Sequence, residues 1–154
     1  MARLYIGLGS NLGERESLLN EAIVNIGQYI GKVEATSAYY ETEAWGFQSS
    51  HTFLNACVLV QTSLSVRACL EQTQAIERSL GRSHKTENGV YQDRCIDIDI
   101  LFYDDEIVDE IDLKVPHPLM HQRKFVLEPL AEIAPDFIHP QLHQSCKNLL
   151  ISLT

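Results

Sequence analysis

Hydrophobic residues in the first half of the chain change between the spacing of strands and the spacing of helices. Residues 4–8 form a short apolar run that predicts a first strand. Residues 18–30 carry apolar side chains every three or four positions, which predicts a helix, and Gly31 stands where a glycine commonly ends one. The segments KVEATSAYYET (32–42) and HTFLNACVLVQT (51–62) are rich in β-branched and aromatic residues and predict two strands.

A second helix and a further strand follow. Ser65 is a suitable N-cap for residues 66–80, which have one apolar face, and Gly81 ends the segment. These elements have the order βαββαβ, so we expect an α+β fold of the ferredoxin-like type. Such a fold has an antiparallel sheet with two helices on one face, and the other face is open for a site. We also expect an added hairpin near residues 103–110, short C-terminal helices, and a single domain over residues 1–154.

The segment DRCIDIDILFYDD, residues 93–105, carries an unusual pair of charges. Its isoleucines and Phe102 follow the two-residue period of a buried strand face. Asp97 and Asp99 project from the opposite face about 7 Å apart, where like charges repel. A solvated face would explain them, but Leu101 continues the same face and Asp is depleted in strands. Two carboxylates on a rigid strand also suit Mg²⁺, which prefers oxygen ligands and keeps waters that substrate phosphates can replace.

Composition narrows the class of partner. The chain has 154 residues, 45% of them hydrophobic and 21% charged, which is ordinary for a globular protein. A formal net charge of −9 argues against nucleic-acid binding, which needs basic surfaces. A phosphorylated small molecule is still compatible, because bound metal and a few arginines can supply local positive charge.

Neither a membrane segment nor a disulfide framework is expected. No apolar run is long enough for a membrane span, and the apolar start is too short for a signal peptide. The four cysteines are widely spaced and form no CxxC pair, which favours a reduced, cytoplasmic protein.

Several polar residues outside the acidic strand are candidates for binding. Residues 82–95 form a long polar connection with basic side chains, so they predict either an anion-binding lid or a solvated loop. Phe53 and Asn55 share one strand face, and an aromatic plane beside a carboxamide suits a flat heterocycle, although such a Phe is usually core. His117 and Arg123 could bind phosphate oxygens near the acidic metal ligands, although a proline-flanked histidine is often only a surface turn residue. The glycine motif GLGSNLG lacks the dinucleotide-binding spacing.

Taken together, these segments resemble the 6-hydroxymethyl-7,8-dihydropterin pyrophosphokinase family of folate biosynthesis. The match runs from YIGLGSNLG through YYETEAWG, FLNA and IERSLGR to DRCIDIDIL and VPHPLMHQRKFVLEPLAEIAP. The combination of RxxDxDIL with PHPxMxxRxFVLxPL is its most specific part. The resemblance implies transfer of the terminal diphosphate of ATP to the hydroxymethyl group of the pterin, with release of AMP. It also implies small-molecule substrates. We expect no nucleic-acid or membrane partner, and a monomer.

The resemblance implies roles for individual residues as well. Asp97 and Asp99 would hold two Mg²⁺ ions and would form the catalytic group with Arg82 and Arg94. The residues that would bind ATP are Gln74, Glu77, Arg82, Ile100, Leu113, Lys114, His117 and Arg123. The residues that would surround the pterin are Thr42, Trp45, Phe53, Asn55, Tyr91 and Phe125, with the ring between Phe53 and Phe125. Many relatives have an Arg-Trp-x-Pro sequence in the lid that is absent here, and Tyr91 is the candidate to replace that tryptophan.

Two other functions fit part of the pattern. Glycosyltransferases also use paired aspartates to hold a metal on a nucleotide-sugar diphosphate, but this chain lacks the doubly wound nucleotide domain that such enzymes generally need. A non-catalytic binding module on a ferredoxin-like scaffold, for instance for RNA, is the second alternative, because fold alone does not determine function. The charge balance disfavours it.

Overall fold

The computed structural model describes residues 1–11, 14–43, 52–82 and 96–153. Within those ranges the chain forms seven strands and four α-helices, together with a π-helical turn at Arg78–Arg82 and a 3-10 turn at Met120–Gln122. In chain order the elements are β1 (Ala2–Ser10), α1 (Arg15–Tyr29), β2 (Lys32–Thr36), β3 (Tyr40–Glu43), β4 (Thr52–Thr62), α2 (Val66–Glu77), β5 (Asp97–Tyr103), β6 (Val108–Glu110), β7 (Leu113–Val115), α3 (Lys124–Ile133) and α4 (Cys146–Ser152).

Five strands form an antiparallel sheet with the order β2-β4-β1-β5, and β3 also pairs with β4. The predicted antiparallel sheet is therefore confirmed within a mixed α/β fold. The segment predicted as one strand at 32–42 is two strands, which pair with successive parts of β4. The break has a physical cause, because Ala38 donates its N–H to the carboxylate of Glu132 on α3 instead of to the sheet.

One face of the sheet is covered by α1 and α2. Apolar side chains at alternate positions of β1, β4 and β5 point to this face and pack against the apolar stripes of the two helices. The buried members include Leu4, Ile6, Leu8, Leu19, Ala22, Ile26, Val58, Val60, Cys69, Ile76, Ile98 and Ile100. This is the main core, and it buries the isoleucines of β5 as their alternation predicts.

The opposite face is only partly open, which differs from the expectation. A second core packs α3 and α4 against one end of this face, with Tyr5, Phe102, Leu127 and Leu130 among its buried residues. Phe102 was expected on the isoleucine face. It lies on the other face because the pairing of β1 with β5 shifts register beside Leu101, and one extra residue reverses every side chain beyond it.

The predicted helix ends have identifiable causes. The Ser65 hydroxyl accepts the N–H of Ala68 at 3.1 Å and caps α2. Gly81 has a φ of 124°, a left-handed conformation that favours glycine and ends the π-helical turn. Gly31 is required for space, because a Cβ atom there would collide with the carbonyl oxygen of Gln61. Within the described ranges, no helix is long and apolar enough to cross a membrane.

His139 makes the stability of the second core dependent on pH. Its side chain is 2% exposed and packs edge-on against Phe102, and its Nδ1 accepts the N–H groups of Gln141 and Leu142 at 3.1 Å. Burial, with smaller effects from the charges of His121 and His143, lowers the pKa of His139 to about 4. An unfolded chain binds this proton near pH 6.5, so protonation favours unfolding below that value.

We therefore expect the free energy of unfolding to fall as the pH is lowered from about 6.5 to 4, by at most about 3 kcal/mol from this group. Urea unfolding at several pH values measures it. His139→Asn keeps a hydrogen-bond acceptor and removes the titration, so this variant should lose most of the dependence. His143→Asn, at an exposed position, should keep most of it, because the His143 charge makes the smallest contribution to the lowered pKa of His139. Equal slopes of the free energy of unfolding against pH in the two variants would contradict the assignment.

Candidate active site

Two glycines of β1, Gly7 and Gly9, leave the backbone uncovered in the open part of the sheet, and this strip of backbone forms the floor of the site. In the central strand β1, Gly9 is paired with Asn55 on one side and with Asp97 on the other, and Gly7 is paired with Asp99. Paired residues point to the same face of a sheet, so side chains from β4 and β5 stand on either side of the glycines. A cleft of about 220 Å³ lies over this strip, and we call it the first cleft. Its lining residues are Gly7, Leu8, Gly9, Thr42, Phe53, Asn55, Ala56, Asp97, Asp99, Leu101, Arg123, Phe125 and Val126.

Asn55 is held in one orientation on this floor. Its side-chain Nδ2 donates to the hydroxyl of Thr42 at 2.8 Å, and the residue is only 4% exposed. The amide oxygen faces Gly9, because a Cβ atom on Gly9 would lie 3.0 Å from Asn55 Oδ1. A fixed carboxamide with Phe53 two residues earlier can bind the edge and the face of a flat heterocycle.

The N-terminus of α3 forms the opposite wall of the first cleft. Arg123 is the N-cap residue of this helix, and its guanidinium carbon lies 5.8 Å from the centre of the Phe125 ring. That distance is within the range of a cation–π contact. The four predicted pterin residues that the structure describes, Thr42, Phe53, Asn55 and Phe125, therefore line one cleft. Trp45 and Tyr91 lie outside the described residues.

The predicted acidic pair stands where two clefts meet. Asp97 and Asp99 both line the first cleft, and Asp99 also borders a second cleft of about 270 Å³. The second cleft is lined by Leu70, Ile98, Asp99, Ile100, Ile111, Asp112, Leu113, Lys114, His117 and Pro118. Ligands in the two clefts would therefore approach each other at Asp99.

The donor set of the acidic pair fits Mg²⁺. In the part of the chain that the structure describes, no group of three or more His, Cys, Asp or Glu side chains forms a complete metal site. Two carboxylates on one strand face still suit this ion, because Mg²⁺ is usually bound by one or two carboxylates together with water and substrate phosphates.

His117 borders the second cleft as a neutral donor. Burial lowers its pKa, the nearby charge of Asp99 opposes this shift, and the charge of Arg123 adds to it. The Nδ1 atom accepts the N–H of Leu119 at 3.2 Å, which places the proton of the neutral ring on Nε2. His117 can therefore donate one hydrogen bond to an anion without carrying a charge.

The other residues predicted to bind ATP, and the predicted catalytic arginines, lie at different places. Ile100, Leu113 and Lys114 line the second cleft, whereas Arg123 lines the first. Gln74 and Glu77 on α2 line neither cleft. Arg82 is described only by its backbone at the end of the π-helical turn, and Arg94 lies outside the described residues.

Glu77 has a structural position that sequence reasoning missed. It is 4% exposed, and its carboxylate accepts the N–H of Ile98 at 2.8 Å, between the two aspartates of β5. This bond fastens the acidic strand to α2. Ile111 and Asp112 were also missed as lining residues of the second cleft, because their exposed positions in a short hairpin carry no periodic signal.

Comparison with known proteins decides the family. The sequence profile of the family described as 7,8-dihydro-6-hydroxymethylpterin-pyrophosphokinase (HPPK) matches residues 5–135. The chain belongs to the HPPK family. A 2-amino-4-hydroxy-6-hydroxymethyldihydropteridine pyrophosphokinase from Porphyromonas gingivalis is 49% identical over 142 residues, which are 92% of this chain and 96% of that protein. The corresponding protein from Aquifex aeolicus is 41% identical, over 91% of this chain and 85% of that protein.

Solved structures agree at the level of the fold. Wild-type HPPK-DHPS from Plasmodium falciparum superposes with a TM-score of 0.78 at 16% sequence identity. The superposition covers 98% of this chain but 44% of the other, so this chain spans less than half of that protein.

The family assignment gives the reaction. As an HPPK, the protein transfers the pyrophosphoryl group of ATP to 6-hydroxymethyl-dihydropterin in folate biosynthesis. ATP is the co-substrate, and Mg²⁺ is the metal that the family generally uses. The glycosyltransferase and RNA-binding alternatives are therefore set aside.

Substitution of a floor glycine should weaken binding of the pterin in the first cleft. Gly9→Ala should raise the KM for the pterin about tenfold, because the added methyl group meets the fixed Asn55 amide and such overpacking costs about 1 kcal/mol or more. Gly27→Ala, on α1 and outside the cleft lining, is the matched control, since its Cβ atom would make ordinary contact with Val33 at 3.7 Å. Steady-state kinetics with varied pterin measures both, and equal effects would contradict the argument.

Hydrogen bonds of Glu132 connect the two walls of the first cleft, and we call them the clasp. The Glu132 carboxylate accepts the N–H of Ala38 and also the Tyr40 hydroxyl at 2.6 Å, and the latter hydrogen bond raises the pKa of Tyr40 to about 12. The clasp thereby joins α3, which carries Phe125, to the strand that carries Thr42.

Glu132→Ala should therefore raise the pterin KM several-fold and destabilise the fold by about 1–2 kcal/mol, since it removes the acceptor of two hydrogen bonds. Tyr40→Phe removes one of these bonds and should have a smaller effect. Glu128→Ala, one turn earlier on α3, is the control for charge. Kinetics and thermal unfolding of the three variants test this order, and an effect of Glu128→Ala as large as that of Glu132→Ala would exclude the clasp.

Proposed function

We propose that the two clefts are adjoining substrate sites of the pyrophosphokinase, with the pterin in the first cleft and ATP in the second. The observation that carries this assignment is the position of Asp99 on the border of both. The first cleft has the aromatic and carboxamide groups that suit a pterin ring. The second has apolar side chains for a nucleoside and the His117 donor for a phosphate oxygen.

In this proposal Asp97 and Asp99 hold two Mg²⁺ ions. When bound, the ions neutralise charge on the diphosphate that is transferred. The protein itself positions the reactants: the glycine floor and Asn55 place the pterin so that its hydroxymethyl oxygen faces the acidic pair. That oxygen attacks the β-phosphorus of ATP and its proton passes to solvent, while the bond from the β-phosphorus to the α–β bridging oxygen breaks and AMP leaves with that bridging oxygen. Catalysis of this type depends on positioning and electrostatic stabilisation.

Other assignments rest on the resemblance alone. We assign Arg82 and Arg94 to charge stabilisation during the transfer, and Gln74, Glu77 and Arg123 to the surroundings of the nucleotide. Trp45 and Tyr91 belong to the pterin site in this proposal, with Tyr91 as the aromatic cover.

We also propose a broader description of the protein. The strand order β2-β4-β1-β5 supports the ferredoxin-like class, with β3 and the β6–β7 hairpin as additions. Residues 1–154 would act as a single domain and as a cytoplasmic monomer. Its partners would be the two small substrates, with no nucleic acid or membrane.

The test is product analysis with ATP, Mg²⁺ and hydroxymethyl-dihydropterin. We expect AMP and the pterin diphosphate, and neither should form without the metal or the pterin. Asp97→Asn and Asp99→Asn should each lower kcat by about 10²- to 10³-fold, the range found for one preorganised electrostatic group. Asp105→Asn removes a similar charge from the exposed turn and should have little effect. Formation of ADP, or full activity of the Asp97 and Asp99 variants, would refute the proposal.

A further inference from the structure

Ile98, Asp99 and Ile100 of β5 line the second cleft, but two of its walls come from elements outside the main sheet. Leu70 on α2 forms one wall, and the turn and second strand of the β6–β7 hairpin form the other. The hairpin is a separate two-stranded sheet, so strand pairing with the main sheet does not hold it in place. Leu113 and Val115 of β7 are buried in the main core and anchor that strand. The turn before it is exposed at Ile111, so the width of the cleft at this turn depends on side-chain contacts at the surface.

Arg67 connects these two walls. Its guanidinium donates to Asp112 Oδ2 at 2.8 Å and also to Glu110 Oε1. We call these two ion pairs the fork. The two carboxylates lie on either side of Ile111, the lining residue at the tip of the hairpin. Arg67 precedes Leu70 by one helical turn, so it stands on the same side of α2 at the rim of the cleft.

The other ion pair of the hairpin has a different geometry. Lys114 donates to Asp109 at 2.5 Å, and both residues belong to the hairpin. This pair joins β6 to β7 and does not reach α2. Arg67, unlike Lys114, therefore joins α2 to the hairpin across the second cleft.

We infer that Arg67 is a positioning residue for the nucleotide, because its fork to Glu110 and Asp112 fixes the hairpin at a set distance from α2. The inference rests on the assignment of the second cleft to ATP. The side chains of Arg67, Glu110 and Asp112 are 39%, 54% and 68% exposed, and exposed ion pairs contribute little individually. The effect should therefore be a modest loss of nucleotide affinity, with an unchanged chemical step.

Glu110→Gln gives the sharpest test because two explanations predict opposite signs. If Glu110 acted only through its charge, its removal would leave the affinity for an anionic nucleotide unchanged or slightly higher than in the wild type. Loss of the fork predicts an affinity about two- to fivefold lower. Glu106→Gln removes the same charge from the preceding turn, outside the fork, and is the matched control.

The measurement is calorimetric binding of a non-hydrolysable ATP analogue with Mg²⁺, together with kcat and both KM values. We expect Glu110→Gln to raise the Kd and the KM for ATP two- to fivefold, while kcat and the pterin KM stay as in the wild type. In an Arg67→Met background, Glu110→Gln should cause no further loss, because the fork is already absent. Additive losses, or a Glu110→Gln variant that behaves like Glu106→Gln, would overturn the inference.

A lining variant separates this inference from the proposed function. His117→Ala, outside the hairpin, should weaken binding of the analogue if the second cleft binds the nucleotide. If His117→Ala weakens binding and Glu110→Gln does not, the role of Arg67 is wrong and the ATP assignment stands. If wild-type protein does not bind the analogue, or His117→Ala has no effect, the ATP assignment fails and the inference fails with it.

Discussion

The absence of side chains at two neighbouring positions on one face of β1 is the constraint on which the site depends. Gly7 and Gly9 leave the middle of the sheet bare, while Asn55 and Asp97 stand on the neighbouring strands at the same level. Strand pairing sets the separation of those groups, so no flexible loop is needed to align them. Rigid placement of this kind is what a transfer reaction between two bound substrates requires.

The rest of the fold supports this strip from both sides. The main core lies beneath it and buries the isoleucines that alternate with the aspartates. The second core covers the far end of the same face, and the helix that it anchors brings Phe125 over the open end. Glu77 adds a direct bond from α2 to the acidic strand. The position of each aspartate is therefore determined by several independent contacts.

Local patterns predicted the strand side chains of this site because strand alternation is a local property, whereas Thr42, Arg123 and Phe125 were assigned from the family resemblance. Phe53 and Asn55 were placed on one face by spacing alone, and so were Asp97 and Asp99. The failures came from long-range contacts. A carboxylate from α3, at Glu132, divides the strand predicted at 32–42, and a register shift against β1 moves Phe102 to the other face. Neither cause lies within the segment that it changes.

The bare floor has a consequence for inhibitors of this enzyme. A compound that lies flat across Gly7 and Gly9 would contact main-chain atoms, which point mutations leave in place. A side chain introduced at position 9 would push against Asn55 Oδ1, the same group that is proposed to bind the natural pterin. A resistance mutation at position 9 would thus also impair the reaction that the cell needs. A resistance mutation in the exposed hairpin of the second cleft would interfere less with the natural substrate.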